Sequence, residues 1–371
     1  MMPTTPIVED PASARPKKAE ATARFYPQLD GMRAIAVLLV LLYHTEYVER
    51  PSSLAYLSSL GWIGVDAFFV LSGFLITKVL LGTQPGPRGL GLFVLRRILR
   101  TWPLYFVVLL MAFLTVPRYG QGEQIRWPYY FVFLQNFFAP FTARSLSATW
   151  SLCVEEHFYL LWPFLIFLTP RRFLAWALPL TFLVLPFVRL WGLNHAFTSE
   201  QLYTETQFHL DGLVAGSMVA LVFTRSKQCP RALLIGGYAC LVLGAATALL
   251  GFRHGWNVIA GQNDVFGFTS LAIGFAGLLL FLLHSESSIL AKALSLSPIR
   301  YIGRISYGIY LLHEGLYALL GRITLHGSLG AVWRAWTFAI PLHIGLAVCA
   351  AALSYRFFES PILRVKDRLR K

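Results

Sequence analysis

The chain has 371 residues, of which 56% are hydrophobic and only 13% are Asp, Glu, Lys or Arg, against about 25% charged residues in an ordinary soluble protein. Aromatic residues make up 15%, the mean hydropathy is +0.58 and the formal net charge is +14. A water-soluble domain cannot hide that much apolar surface, which excludes a soluble globular enzyme, a disordered chain and a secreted disulfide scaffold and leaves a polytopic membrane protein.

In chain order, residues 1–25 read as a disordered cytoplasmic leader: Pro3, Pro6, Pro11 and Pro16 interrupt it, and it lacks the apolar core of a signal peptide. Ten membrane spans follow, at 32–49, 61–81, 99–117, 150–169, 173–191, 207–224, 232–251, 264–284, 305–323 and 334–357. The stretches 101–117, 232–252, 265–285 and 335–355 contain no Asp, Glu, Lys or Arg. About 20 residues of helix cross a bilayer core, and unbroken apolar runs point to helices because barrel strands alternate. The expected fold is all-α with both termini cytoplasmic. Segment 127–141 is apolar and aromatic but short, and reads as a re-entrant or interfacial piece on the outer face. With this topology 24 of the 32 basic residues fall inside and 8 outside. The positive-inside rule accounts for that bias, so the basicity calls for no nucleic-acid partner. Cys153, Cys229, Cys240 and Cys349 show no metal or redox spacing and read as packing residues, and no metal is expected.

A charge within a span is costly and marks function by default. The first span carries Asp30, Arg33 and His44. Arg33 and His44 fall on one helix face, about 16 Å apart along the axis, with Asp30 close to the same line. A buried neutral imidazole could serve as a base, and a helix-packing histidine would fit the same spacing. The second span carries Asp66 among Gly61, Gly64 and Gly73, which would allow close helix approach. Arg96, Arg97 and Arg100 stand before Pro103 at the inner start of the third span, as a phosphate clamp or as a positive-inside anchor on anionic lipid. The fourth span opens with Trp150, Ser151, Glu155, Glu156, His157 and Tyr159. Its adjacent carboxylates point to different faces, one free to face a cavity while the other orients a base. Further intramembrane candidates are Glu46, His209, Asp211, His313, Glu314, His343 and Glu359; His343, His284 and His326 read as structural. Familiar soluble motifs are missing: there is no G-x-S-x-G elbow, P-loop or H-E-x-x-H.

Seven segments in order resemble the acyltransferase 3 family, multi-span O-acyltransferases acting on surface polysaccharides and other glycosides. They are Leu29–Val37 with His44 after it, Gly61–Ile76, Arg96–Pro103, Trp150–Tyr159, Phe208–Gly212, Ile305–His313 and Phe357–Pro361, spread over residues 26–363. The resemblance implies a ten-span domain, here 26–360, that draws acyl groups from cytoplasmic acyl-CoA, acetyl-CoA above all, and passes them to a hydroxyl of a sugar or glycolipid acceptor. It implies that Arg33 and His44 are the functional pair of the first span, and that Arg97 and Arg100, with Arg96 beside them, bind the cofactor. It makes Glu155 and Glu156 the carboxylate block. His44 is then expected as general base or acyl relay, with Glu155 or Glu156 orienting it. Asp30, Asp66, Trp150, Ser151, Tyr159, Asp211 and His313 are expected to support substrate or structure. About fourteen residues follow Phe357, a basic cytoplasmic tail at 361–371 in place of the soluble hydrolase-like extension of some members, so a standalone enzyme of the cytoplasmic (inner) membrane is expected. A glycolipid transporter or flippase would also suit ten spans with buried charges, although no repeated half is visible.

Overall fold

The computed structural model describes residues 25–45, 51–119, 125–138, 144–225, 231–253, 264–325 and 336–368. Glu46, Cys229 and His326, the leader before Phe25 and the last three residues lie outside them.

The described residues are all-helical, with no strand among them. The first half comprises α1 (Pro27–Tyr43), α2 (Ser52–Ser59), α3 (Ile63–Leu81), α4 (Pro87–Tyr119), α5 (Trp127–Phe131), α6 (Gln135–Phe138), a 3₁₀ turn at Arg144–Thr149, and α7 (Trp150–Leu168). The second half comprises α8 (Arg171–Asn194), α9 (Ser199–Thr204), α10 (Asp211–Arg225), α11 (Arg231–Arg253), α12 (Asp264–His284), α13 (Ile289–Leu294) and α14 (Ser297–Arg304). It ends with α15 (Ser306–Leu325), α16 (Trp336–Ser354), a π-helical turn at Tyr355–Glu359, and α17 (Ser360–Arg368).

A helix stands at each of the ten apolar segments, and seven helical stretches among the described residues are long and apolar enough to cross a membrane: 52–81, 87–115, 145–168, 171–194, 231–253, 265–284 and 337–365. Of the other three, α1 has 17 residues and α10 has 15. The bounds differ most at α4, which begins at Pro87 rather than near 99, so Arg96, Arg97 and Arg100 lie within a 33-residue helix and not at its start. Segment 127–141 resolves into two short helices, α5 and α6, over its described residues.

Small residues set the helix spacing around the centre. α3 packs along α10 and also against α1. A Cβ on Gly73 would collide with the Leu213 carbonyl of α10, and one on Gly61 or Gly64 with the Leu39 or Ala36 carbonyl of α1. The glycines of the second predicted span therefore do allow close approach, as the sequence suggested. Gly303 of α14 lets that helix press on the Asp30 carbonyl of α1. Outward faces carry the exposed apolar surface expected of a lipid-facing belt: Leu160, Leu161, Trp176, Leu180, Ile235 and Val242 are all well exposed.

Candidate functional site

The N-terminal ends of α1 and α15, one side of α3 from Val65 to Leu81, the N-terminal half of α4 and the first half of α7 enclose a cavity of about 810 Å³. Arg33, Lys78, Arg96, Arg97 and Arg100 line it, against only Asp30 and Glu155 as carboxylates. Its charge is therefore strongly positive and suited to a polyanionic ligand. Asp30 holds Arg33 across one turn (Oδ1 to Nη1, 3.5 Å) and lies 4.0 Å from Arg304 Nε. The Arg97 guanidinium lies over the rings of Tyr159 (5.1 Å) and Phe93 (5.8 Å), which fixes its plane while its edge remains available for hydrogen bonds. Lys78, one of the 24 basic residues that the ten-span topology puts on the inner side, rests on the Tyr26 ring at 4.2 Å.

The adjacent carboxylates of α7 do diverge, as helix geometry requires. Glu155 faces the cavity and accepts from Ser72 Oγ (2.5 Å) and the Tyr159 hydroxyl (2.8 Å). Glu156 turns to α4 and accepts from Thr101 Oγ1 (3.0 Å) and Trp102 Nε1 (3.2 Å). The carboxylates expected to orient His44 or offset its charge thus bond Ser72 and Tyr159 (Glu155) and Thr101 and Trp102 (Glu156). Consecutive on α7, the two side chains bond to α3, α4 and α7 itself, whereas His44 caps the C-terminus of α1.

The carboxylate that meets His44 belongs to α15. His44 Nε2 lies 3.3 Å from Glu314 Oε1, and its Nδ1 donates to the Val40 carbonyl at 2.9 Å. Glu314 is held in turn by the Ser147 hydroxyl and by the Ala148 N–H (2.9 Å) of the 3₁₀ turn. His313 packs edge-on against His44 with ring centroids 4.8 Å apart. Its Nδ1 donates to the Tyr310 carbonyl at 2.6 Å.

Tyr310 joins the two regions. Its hydroxyl is 2.6 Å from Ser151 Oγ and donates to the Ala148 carbonyl at 2.9 Å, and both Ser151 and Tyr310 line the cavity. Its ring lies 5.9 Å from that of His313. The cavity thus runs from the arginines to the Ser151–Tyr310 contact, with His313, His44 and Glu314 behind it. Sequence reasoning flagged Glu314 as an intramembrane charge but did not join it to His44. Its adjacency to His313, already a site candidate, was the available signal. Ser72 and Tyr310 fall inside the resembling segments Gly61–Ile76 and Ile305–His313 without standing out there, and Ser147 lies in the 3₁₀ turn outside them.

Four sequence candidates, Asp66, Trp150, His209 and Asp211, gather elsewhere, in a buried knot off the cavity lining. Asp66 Oδ1 is 3.0 Å from His209 Nε2, whose Nδ1 donates to the Tyr203 carbonyl. Trp150 stacks on His209 at 5.6 Å. Asp211, the first residue of α10, takes a bidentate pair from Arg189 at 2.6 and 3.1 Å. Arg189, one of the eight basic residues that the ten-span topology puts on the outer side, is completely buried and spends its remaining donors on the Phe208 and Val265 carbonyls and Thr269 Oγ1.

Comparison with known proteins follows the same contour. O-acetyltransferase OatA of Staphylococcus aureus is 28% identical, over 91% of this chain and 57% of its own length. Peptidoglycan O-acetyltransferase OatA of Listeria monocytogenes is 29% identical, over 91% of this chain and 56% of its own length. The chain therefore spans a little over half the length of these curated relatives. No solved structure matches it. A family profile described as an acyltransferase domain matches residues 26–355, a range that takes in the cavity, the His44–Glu314 pair and the Arg189–Asp211 knot together. With its apolar helices and that match over most of its length, the chain is a multi-pass membrane protein that belongs to the acyltransferase 3 family.

Proposed function

We propose that this protein is a membrane O-acetyltransferase that takes an acetyl group from cytoplasmic acetyl-CoA and delivers it to a hydroxyl of a sugar, glycolipid or exported glycan. The observation that carries the reading is a cavity of about 810 Å³ with five cationic side chains at one end and the Ser151–Tyr310 contact, backed by His313 and His44, at the other. A coenzyme A molecule has the matching polarity: an anionic nucleotide end for Arg33, Arg96, Arg97 and Arg100, and a long neutral arm that carries the thioester away from them. The peptidoglycan O-acetyltransferase name of the Listeria relative favours a cell-wall glycan as acceptor.

In the transfer, His44 takes the proton of the acceptor hydroxyl as its oxygen attacks the thioester carbonyl, and the CoA thiolate leaves. Glu314 stabilises the imidazolium so formed, and the Tyr310 hydroxyl lies where the acyl group passes from the cavity to His44. The same residues also suit a two-step course in which His44 is itself acylated before the acceptor enters. The wider arrangement we propose is ten spans in the inner membrane with both termini cytoplasmic, a membrane domain at 26–360, a leader at 1–25 and a basic tail at 361–371, which places the arginines at the cytoplasmic mouth where acyl-CoA is available.

Membranes carrying the protein, incubated with radiolabelled acetyl-CoA and glycan acceptors, should move label to the glycan. His44→Ala should insert normally and lower transfer by about 10²–10⁴-fold, the usual worth of a positioned general base. Transfer at a near-normal rate by a correctly inserted His44→Ala protein would sink both courses. Label trapped on the wild-type chain after an acid quench, and absent from His44→Ala, selects the acyl-histidine course.

A further inference from the structure

His44 and His313 hold their rings in the same way. His44 Nδ1 lies 2.9 Å from the Val40 carbonyl oxygen and His313 Nδ1 lies 2.6 Å from that of Tyr310. A carbonyl oxygen only accepts, so each Nδ1 carries the proton, and in the neutral ring each Nε2 is a lone pair. The third group, Glu314, already receives the Ser147 hydroxyl and the Ala148 N–H, and its Oε1 faces His44 Nε2. One ligand atom from each of the three side chains lies within 4.8 Å of the other two. A proton on His44 Nε2 would satisfy the 3.3 Å approach to Glu314 Oε1. It would leave His313 Nε2 as it stands, completely buried and without a partner. A cation between the three would satisfy all of them.

We propose that His44, His313 and Glu314 form a binding site for a divalent transition-metal cation of the zinc type. Zinc takes imidazole nitrogen at roughly 2.0–2.1 Å and carboxylate oxygen at roughly 2.0–2.2 Å in tetrahedral array, which sets its ligand atoms about 3.4 Å apart. The His44 Nε2 to Glu314 Oε1 distance of 3.3 Å already has that span, and a ligand atom of His313 lies within 4.8 Å of both. Metal-bound histidines characteristically donate their other N–H to a backbone carbonyl or carboxylate, and both rings do so. Two imidazoles with one carboxylate select zinc, copper or nickel over magnesium or calcium, which prefer all-oxygen shells. No sequence motif announces the site because its ligands come from the end of α1 and the middle of α15. The consequence rests on the proposed role of His44: a bound ion occupies the Nε2 lone pair that the base needs, so it switches transfer off.

The test uses the full chain in detergent, stripped with a chelator and then given Zn²⁺ or Co²⁺ alone. One equivalent should bind per chain, and Co²⁺ should show the visible bands of a tetrahedral nitrogen and oxygen site. His313→Ala and Glu314→Gln should each weaken binding at least tenfold, while His343→Ala, a histidine outside the trio, should bind as the wild type does. Monodisperse elution reports that each variant is folded. No bound equivalent, or binding unchanged in both trio variants, overturns the site. Zn²⁺ should also lower wild-type transfer at least tenfold, with recovery on chelation. Binding that follows the variants without loss of wild-type transfer would leave the site standing and remove His44 as the base. Transfer abolished by chelation would overturn the inhibitory role.

Discussion

Two buried clusters of charge lie in this helical bundle, and they differ in how completely their hydrogen bonds are used. Around Arg189 every guanidinium N–H has an acceptor, and Thr269 both accepts from Arg189 and donates to Asp211 (2.5 Å). Asp211 also stands in the first turn of α10, where the helix dipole favours a negative charge. Around His44 the geometry is open: its Nε2 stands 3.3 Å from the Glu314 carboxylate, and His313 Nε2 has no partner. Burying a charge is tolerable when it is paired and its remaining donors are satisfied. The Arg189–Asp211 pair obeys that rule and reads as a structural tie between α8, α10 and α12, although Asp66 Oδ2 in the same knot is buried without a partner. The open cluster departs from it, and such departures are expected where groups must exchange protons or ligands.

The sharpest way to break this contrast is Arg189→Met. It strands the Asp211 carboxylate in a dry core and should cost about 3–5 kcal/mol, the usual penalty for removing one partner of a buried pair. The protein should lose its monodisperse elution peak and melt well below the wild type. Replacing both partners, Arg189→Met with Asp211→Leu, should restore most of that stability, because no uncompensated charge remains. If Arg189→Met elutes and melts like the wild type, the knot is not a structural tie.

Glu314→Gln applies the same change of charge to the open cluster, and the outcome should be the reverse. The amide still meets Ser147, so the melting temperature should move little. Transfer should fall by about 10–100-fold, or about 1.4–2.7 kcal/mol of barrier, because the imidazolium of His44 loses its counter-charge. A thermal loss as large as that of Arg189→Met, with the rate per folded molecule unchanged, would erase the distinction between the clusters.

The sequence made some of this legible and hid the rest for identifiable reasons. Arg33 and His44 share a helix, so the 3.6-residue period was enough to place them on one face. Arg96, Arg97 and Arg100 were visible because few charges occur in so apolar a chain. The divergence of Glu155 and Glu156 followed from helix geometry, but their partners Ser72, Thr101 and Trp102 come from other helices. The same barrier hid Glu314 behind its neighbour His313, and it turned Arg189 from a presumed rim charge into the centre of the knot. Periodicity assigns a face to a residue; only the packing of α1 on α15, or of α8 on α10 and α12, says what that face meets.

The smallest expected effect concerns the cations, and it extends the comparison to two arginines. Arg189 is enclosed by acceptors on all sides, whereas Arg97 is held by its face on Tyr159 and Phe93 with its edge toward the cavity. Arg97→Lys keeps the charge but gives up the planar stack and the paired N–H groups that suit a phosphate. Lysine can still act as a point charge beside Arg100 and Arg33, so the loss should be partial. The KM for acetyl-CoA should rise about 3–10-fold, worth about 0.7–1.4 kcal/mol of binding, with kcat nearly unchanged. A kcat that falls while KM stays fixed would place Arg97 at the reacting thioester instead of the anionic end of the donor, and the proposed polarity of the cavity would have to be reversed.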